Sequence, residues 1–179
     1  VVNATTVGEL GKRAAELGVP IFHVSTDYVF QGDEDRMLRE DDETGGELGV
    51  YGETKLKGEE LLAQSGADYV IIRVSLLFGL GGTGDSTNEW FIKRVFGLEG
   101  KPLEVVDDKW GFPTYAKDVA EVLAELVFDQ ACPKKTVFHL ANTGPMDQAD
   151  RPTLKDWADH TIKVAIEAGL KLPSEEVNG

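Results

Sequence analysis

The sequence is poor in features that would narrow its function at once. A single cysteine, Cys132, cannot form an internal disulfide, and three scattered histidines, His23, His139 and His160, match no zinc-ligand spacing. Cationic residues are scarce: 18 Lys and Arg face 32 Asp and Glu, a net charge of −14, and no local basic run overrides that field. Such a chain repels phosphate backbones and anionic lipid, so neither nucleic-acid nor membrane-surface binding is expected. Long apolar runs are missing too. The longest, Tyr69 to Gly84, is interrupted by Arg73 and dissolves into glycines, short of the roughly 20 apolar residues of a membrane helix. The default expectations are a cytoplasmic protein in a reducing compartment, with no metal. There is no starting Met and no signal-peptide pattern, and the first residues read as the middle of an element, so a fragment is expected.

What is present suffices for one ordinary domain: 179 residues, 41% of them hydrophobic. Val2, Val7, Leu10, Ala14, Ala15 and Leu17 fall near helical spacing, and Gly18 and Pro20 close that helix. Ile21 to Ser25 reads as a short buried parallel strand, from which Asp27 to Phe30 turns the chain away. The acidic stretch from Gly32 to Gly49 reads as a solvated loop long enough to be a lid. A helix is expected from Tyr51 to Gln64 with Leu56, Leu61 and Leu62 as its apolar side, then a strand at Tyr69–Val74 and a helix at Glu89–Leu98 carrying Trp90, Phe91, Val95 and Phe96. Next come a strand at Leu103–Val106, helical spacing at Val119, Val122, Leu123 and Leu126, a strand at Thr136–Leu140 and a helix at Leu154–Ala168. Strands alternating with helices predict an α/β fold with a mostly parallel sheet.

The most informative chemistry is Tyr51-Gly-Glu-Thr-Lys55. Residues four apart share a helix face, so the Lys55 ammonium can sit beneath the Tyr51 phenol. A free phenol, with a pKa near 10, donates protons poorly at neutral pH. A cation about 4 Å away, at an effective dielectric of about 20, contributes roughly 4 kcal/mol, enough to lower that value by about two to three and make a usable general acid. Alone, the pair is a weak signal, because such a pair arises by chance and an ordinary solvated contact is the favoured reading. Ser25-Thr26-Asp27-Tyr28 adds weight, because ligands gather at the carboxyl ends of strands in open α/β sheets. There a Thr26 hydroxyl can bond a carbonyl oxygen as charge builds on it. The alternatives are turn chemistry for Ser25 and Thr26 and an N-cap or Asx turn for Asp27.

These motifs, STDYVFQG, LREDD, VYGETKLKGEE and VVDDKWGFPTYAKDVAEVL in that order, resemble the extended short-chain dehydrogenase/reductases, and among them the dTDP-4-dehydrorhamnose reductases. The resemblance implies the C-terminal portion of an NAD(P)-binding, Rossmann-like, doubly wound parallel sheet with a small substrate-binding α/β part. Residues 1–75 would complete the dinucleotide-binding domain and carry the catalytic helix; residues 76–179 would be mainly the substrate-binding part, interleaved with the first. The implied reaction is reduction of the C4 ketone of a nucleotide-linked deoxysugar with NADPH or NADH. Thr26 would polarise the carbonyl, Tyr51 would donate the proton, and Lys55 would hold the nicotinamide ribose and tune Tyr51. Ser25 would join Tyr51 and Lys55 at the cofactor, while Thr26, Asp27, Tyr28 and Leu76 would line the sugar. The implied partner is the nucleotide-sugar, with a homodimer as an option for assembly.

The chain departs from the family where Leu76 replaces a Trp that faces the sugar, and the family's phosphate-binding glycine loop would precede Val1. The alternatives are a non-catalytic regulatory subunit similar to methionine adenosyltransferase beta and a sugar-nucleotide epimerase. Asp27 favours the enzyme, because the regulatory branch reads STNYVF where this chain reads STDYVF; Leu76 pulls the other way.

Three further features have two readings each. Gly79 to Gly84 satisfies a dinucleotide glycine pattern, but a plain loop is favoured because Asp85 and later residues separate it from the next helix. Trp110, Phe112 and Tyr115 can stack on a base, although satellite core is favoured. Arg73 in mid-strand needs an anion, and a structural ion pair is favoured over a substrate phosphate.

Overall fold

The computed structural model describes residues 2–32, 36–79, 103–129, 131–142, 152–170 and 177–178. In chain order its elements are α1 (Thr5–Leu17), β1 (Ile21–Thr26), a 3-10 turn (Asp27–Val29), α2 (Val50–Ala63), β2 (Tyr69–Val74) and β3 (Leu77–Phe78). There follow β4 (Leu103–Glu104), β5 (Thr114–Tyr115), α3 (Ala116–Phe128), β6 (Thr136–Leu140), α4 (Leu154–Glu167) and β7 (Val177–Asn178). The chain divides into two compact units: Val1–Val74 with Ala120–Leu140, and Ser75–Val119 with Ala141–Gly179. Among the described residues no helix is long and apolar enough to cross a membrane.

The first unit is built on three parallel strands in the order β1-β2-β6. Val70, Ile71 and Ile72 of the central strand are almost fully buried, as expected of a β-branched run covered on both faces. The register sets Ser25 opposite Arg73, Thr26 opposite Val74 and Arg73 opposite His139, which gathers polar residues toward the carboxyl ends of the strands. Helix α1 ends where Gly18 adopts a left-handed φ of 64°, a conformation a side chain resists, and its N–H caps the helix. Gly8 and Gly11 let α1 lie close on Leu61, Leu62 and Ser65, at and beyond the end of α2.

The second unit holds two short parallel pairs, β3 with β5 and β4 with β7. Helix α4 starts at a reciprocal capping box, Thr153 with Asp156, and buries Trp157, Ala158, Ile162 and Ala165. Phe78 packs on Tyr115 and on Trp157, each at 5.5 Å between ring centroids.

The α/β alternation matches the sequence reading, with three differences. The strand expected at 103–106 is paired only at 103–104. Trp110, expected in a satellite core, is 56% exposed, and the ring cluster centres on Phe78 and Trp157 instead. The apolar side expected for α2 is only in part its inner face: Leu62 is buried, Leu56 and Leu61 are half-buried, and the other buried positions are Gly52, Lys55, Gly58 and Glu59. The helix expected at 89–98, with Trp90, Phe91, Val95 and Phe96, and the glycine run from Gly81 to Gly84 lie outside the described residues.

Candidate active site

Strand β1 ends at Thr26, whose backbone is still extended. Its buried hydroxyl accepts the Tyr28 N–H at 3.3 Å, capping the 3-10 turn, and donates to Asp27 Oδ1 at 3.1 Å. Val29 and Phe30 are buried and anchor the turn, while Asp27 is half-buried and the Tyr28 ring stands exposed. A hydroxyl at a strand end therefore sits beside an exposed aromatic on a fixed turn.

Helix α2 brings the second half of the site. A Cβ on Gly52 would fall well inside van der Waals contact with the Tyr28 carbonyl oxygen, and one on Gly58 would do the same to Asn3. Glycine at 52 is what allows the first turn of α2 to rest on the 3-10 turn. Tyr51, 52% exposed, consequently meets Tyr28 edge to face, with ring centroids 6.0 Å apart. The sequence reading passed over these glycines. Two glycines inside one helix, three residues either side of Lys55, each cost about 1 kcal/mol of helix propensity, and that cost was the available signal of close backbone approach.

Lys55 shares the face of Gly52 and Gly58 and points inward. It is 9% exposed, and its ammonium donates to the Val24 carbonyl oxygen of β1 at 2.7 Å. The amine that the spacing sets one turn from the phenol is thus tethered to the strand that ends in Thr26. Burial pushes the Lys55 pKa down from the usual lysine range, and Glu59 one turn further along pulls it back.

Glu59 and Arg73 form a buried ion pair. Arg73 Nη2 lies 2.8 Å from Glu59 Oε2, and Nε approaches both carboxylate oxygens at 3.2 and 3.3 Å. The Ser25 hydroxyl donates to Glu59 Oε1 as well. The Arg73 guanidinium lies over the Phe30 ring at 5.1 Å, and Phe30 meets His139 edge to face at 5.6 Å. The structural pair expected for Arg73 is what is found, and Ser25, expected at the cofactor, turns its hydroxyl to this pair. Behind them, His23 Nε2 is buried without a hydrogen-bond partner; burial, reinforced by the Lys55 charge and opposed by Glu59, lowers its pKa to about 4.

The acidic loop expected as a lid is strapped down over its described part. His139 N–H donates to Glu40 Oε1 at 2.9 Å, and Arg36 grips Asp42 through two bonds of 2.6 and 3.0 Å. Gly45 N–H reaches the Val29 carbonyl at 2.9 Å. The His139 bond holds the Glu40 carboxyl below the usual carboxylate range. A hollow of about 310 Å³ between this strap and Phe30 is bordered by Leu38, Glu43, Thr44 and Gly45, not by Thr26, Tyr51 or Lys55. Leu76 belongs to the second unit, where it has a positive φ of 38° and its carbonyl accepts the Thr114 N–H at 3.1 Å.

Residues 1–165 match the family described as the RmlD substrate binding domain. The chain belongs to that family. It is 35% identical over 183 residues to the dTDP-4-dehydrorhamnose reductase of Escherichia coli (strain K12), which takes in 99% of this chain and 56% of that protein. To the enzyme of the same name from Mycobacterium tuberculosis (strain H37Rv) it is 37% identical over 147 residues, 80% of this chain and 46% of the relative. The crystal structure of dTDP-4-dehydrorhamnose reductase from Bacillus anthracis in complex with NADP superposes with a TM-score of 0.78 at 26% identity, covering 99% of this chain and 57% of the other. This RmlD-family chain thus has a Rossmann-like α/β fold and spans a little over half the length of the E. coli relative.

Proposed function

We propose that the protein carrying this chain reduces the C4 ketone of a nucleotide-linked deoxysugar with NADPH or NADH, in the manner of the dTDP-4-dehydrorhamnose reductases to which it is similar. The observation that supports the reading is the tether of Lys55 to Val24, which fixes a buried ammonium on the strand ending in Thr26, on the helix whose first turn carries the exposed Tyr51. An ammonium has three donors, and one is engaged by Val24, so two remain for the ribose of a nicotinamide cofactor. The residues present fit that group. When bound, the cofactor supplies a hydride equivalent.

In this reading Tyr51 donates the proton that the reduced oxygen needs, and Lys55 favours the charged form of the phenol after transfer. Thr26 turns its hydroxyl from Asp27 to the substrate oxygen, stabilising the charge that develops there. Asp27 and Tyr28 line the sugar beside it. The same reading carries a cytoplasmic location and a homodimer, the latter checked by light scattering of the whole protein.

Replacing Tyr51 with Phe removes only the proton donor. Turnover is expected to fall by about 10²–10⁴-fold while cofactor affinity stays the same, because the lost group acts in the transition state. Steady-state kinetics on a dTDP-4-keto-6-deoxysugar, with a parallel cofactor titration, measures both; full turnover in Tyr51→Phe removes the assignment.

A further inference from the structure

The proposed chemistry leaves one buried anion unused. Glu59, 5% exposed, lies one turn beyond Lys55 on the inner face of α2. An ionised carboxylate in such a place needs close partners, and Glu59 draws them from two strands: Ser25 of β1 and Arg73 of β2, which sit opposite each other in the register. Ser25 is flanked on one side by Val24, whose carbonyl holds Lys55, and on the other by Thr26. Helix α2 is therefore tied to the end of β1 at two adjacent residues, once through its lysine and once through its glutamate.

The charges around Lys55 make the second tie more than mechanical. On β1, His23 is held neutral by burial. On β2, Arg73 is a cation. In the 3-10 turn, Asp27 is engaged with Thr26, and Glu40 of the strap is engaged with the His139 N–H. On α1, Glu9 pairs with Lys12 and Glu16 with Arg13 at the surface. Among the described residues, Glu59 is the buried carboxylate, one helical turn from Lys55 on the same face of α2.

We propose that Glu59 is a positioning residue: through Ser25 and Arg73 it holds the catalytic helix in register with the strand end that carries Thr26, and it is the counter-charge set one helical turn from the buried Lys55 amine. A buried lysine without an opposing carboxylate loses its proton at lower pH, because desolvation penalises the charged form. The inference rests on the proposed reductase function for its kinetic part only.

The test uses the whole protein with Glu59→Gln, Glu59→Asp and Ser25→Ala, read by pH profiles of kcat and by nitrogen-detected NMR titration of the Lys55 ammonium. In Glu59→Gln the alkaline limb of kcat and the Lys55 titration are expected to move together to lower pH, by about one pH unit or more. The KM for the sugar is expected to change by less than about threefold, because the loss lies in the chemical step. Glu59→Asp, which keeps the charge, restores the limb. Ser25→Ala cuts the strand tie but keeps the charge, so kcat falls and the limb stays.

An unmoved Lys55 titration in Glu59→Gln overturns the counter-charge, and wild-type kcat in Ser25→Ala overturns the tie. Should Glu59→Gln fail to fold, Glu59→Asp and Ser25→Ala still decide: a Lys55 titration about one pH unit or more below the wild-type one in Glu59→Asp, which keeps the charge, counts against the proposal. A wild-type protein without reductase activity sinks the proposed function alone, because the Lys55 titration needs no turnover.

Discussion

Helices α2 and α4 are both 14 residues long, and they are built on opposite plans. Helix α4 opens on a capping box and buries Trp157, Ala158, Ile162 and Ala165, an apolar stripe at helical spacing. Helix α2 opens on Gly49 with no side-chain cap and buries two glycines, a lysine and a glutamate beside Leu62. The first plan favours stability through capping and apolar burial. The second gives up propensity and accepts desolvation of charge, and in return it sets Lys55 and Glu59 against the end of β1 and Tyr51 against the 3-10 turn. Local rules tend to be broken where chemistry is placed, and the breakage in α2 coincides with the candidate site.

The largest expected effect comes from unpairing the charges under α2. Arg73→Met leaves Glu59 buried with only the Ser25 hydroxyl, which should cost about 3–5 kcal/mol in urea denaturation. Adding Glu59→Leu to it should recover much of that loss, since an apolar pair of similar volume does not have to be desolvated. A single variant costing under about 1 kcal/mol would mean that α2 does not depend on this pair, and the contrast with α4 would fail.

Gly52→Ala sharpens the comparison by setting two effects against each other. In an ordinary helix position the change gains up to about 1 kcal/mol of propensity. Here the new Cβ meets the Tyr28 carbonyl, and overpacking of this kind costs about 1–3 kcal/mol, so net destabilisation is expected in thermal melts. An added methyl that stabilises the protein would show that the 3-10 turn yields freely.

His23 makes the first unit acid-sensitive. Its folded pKa of about 4 lies below the ordinary 6.5, so between those values the unfolded chain takes up a proton that the folded chain refuses. Stability is therefore lost as pH falls from about 6.5 toward about 4, by on the order of 1–2 kcal/mol after allowing for partial exposure. His23→Gln should flatten that part of the profile in denaturation midpoints measured at pH 7 and pH 5; an identical slope in both proteins contradicts the assignment.

The smallest effect belongs to α4. Thr153→Ala removes the cap and should cost about 1 kcal/mol, read as a lowered thermal midpoint. Hydrogen bonds from Thr153 hold the Asp156 carboxyl below its usual range. The contribution of the box is thus present above the ordinary carboxylate pKa and fades as pH drops through the lowered one. A cap loss larger than that of Arg73→Met would reverse the ranking of the two helices.

Much of the scaffold was legible without coordinates. The strands at 69–74 and 136–140 were read with the bounds they have, because short β-branched runs between turn signals admit few other readings. Helix α4 was legible from its apolar spacing. The inner face of α2 was not, because hydrophobic periodicity is blind to a face made of glycine and paired charge. Its glycines answer to carbonyls of Tyr28 and Asn3, and Glu59 answers to Arg73, fourteen residues away. The acidic composition of the strap reads as solvated, and its described residues are mostly exposed; what composition could not show is that Glu40 accepts the backbone N–H of His139, 99 positions further on.

By itself the order of residues determined the α/β alternation, the strand end at Thr26 and the one-turn spacing of Tyr51 and Lys55, since these follow from short-range periodicity and turn chemistry. Where the lysine would send its charge was decided only by tertiary structure. An amine on a helix can reach a neighbour one turn away, water or a facing strand. The choice of the Val24 carbonyl depends on β1, the close-packed glycines and the Arg73–Glu59 pair arriving together from distant parts of the chain.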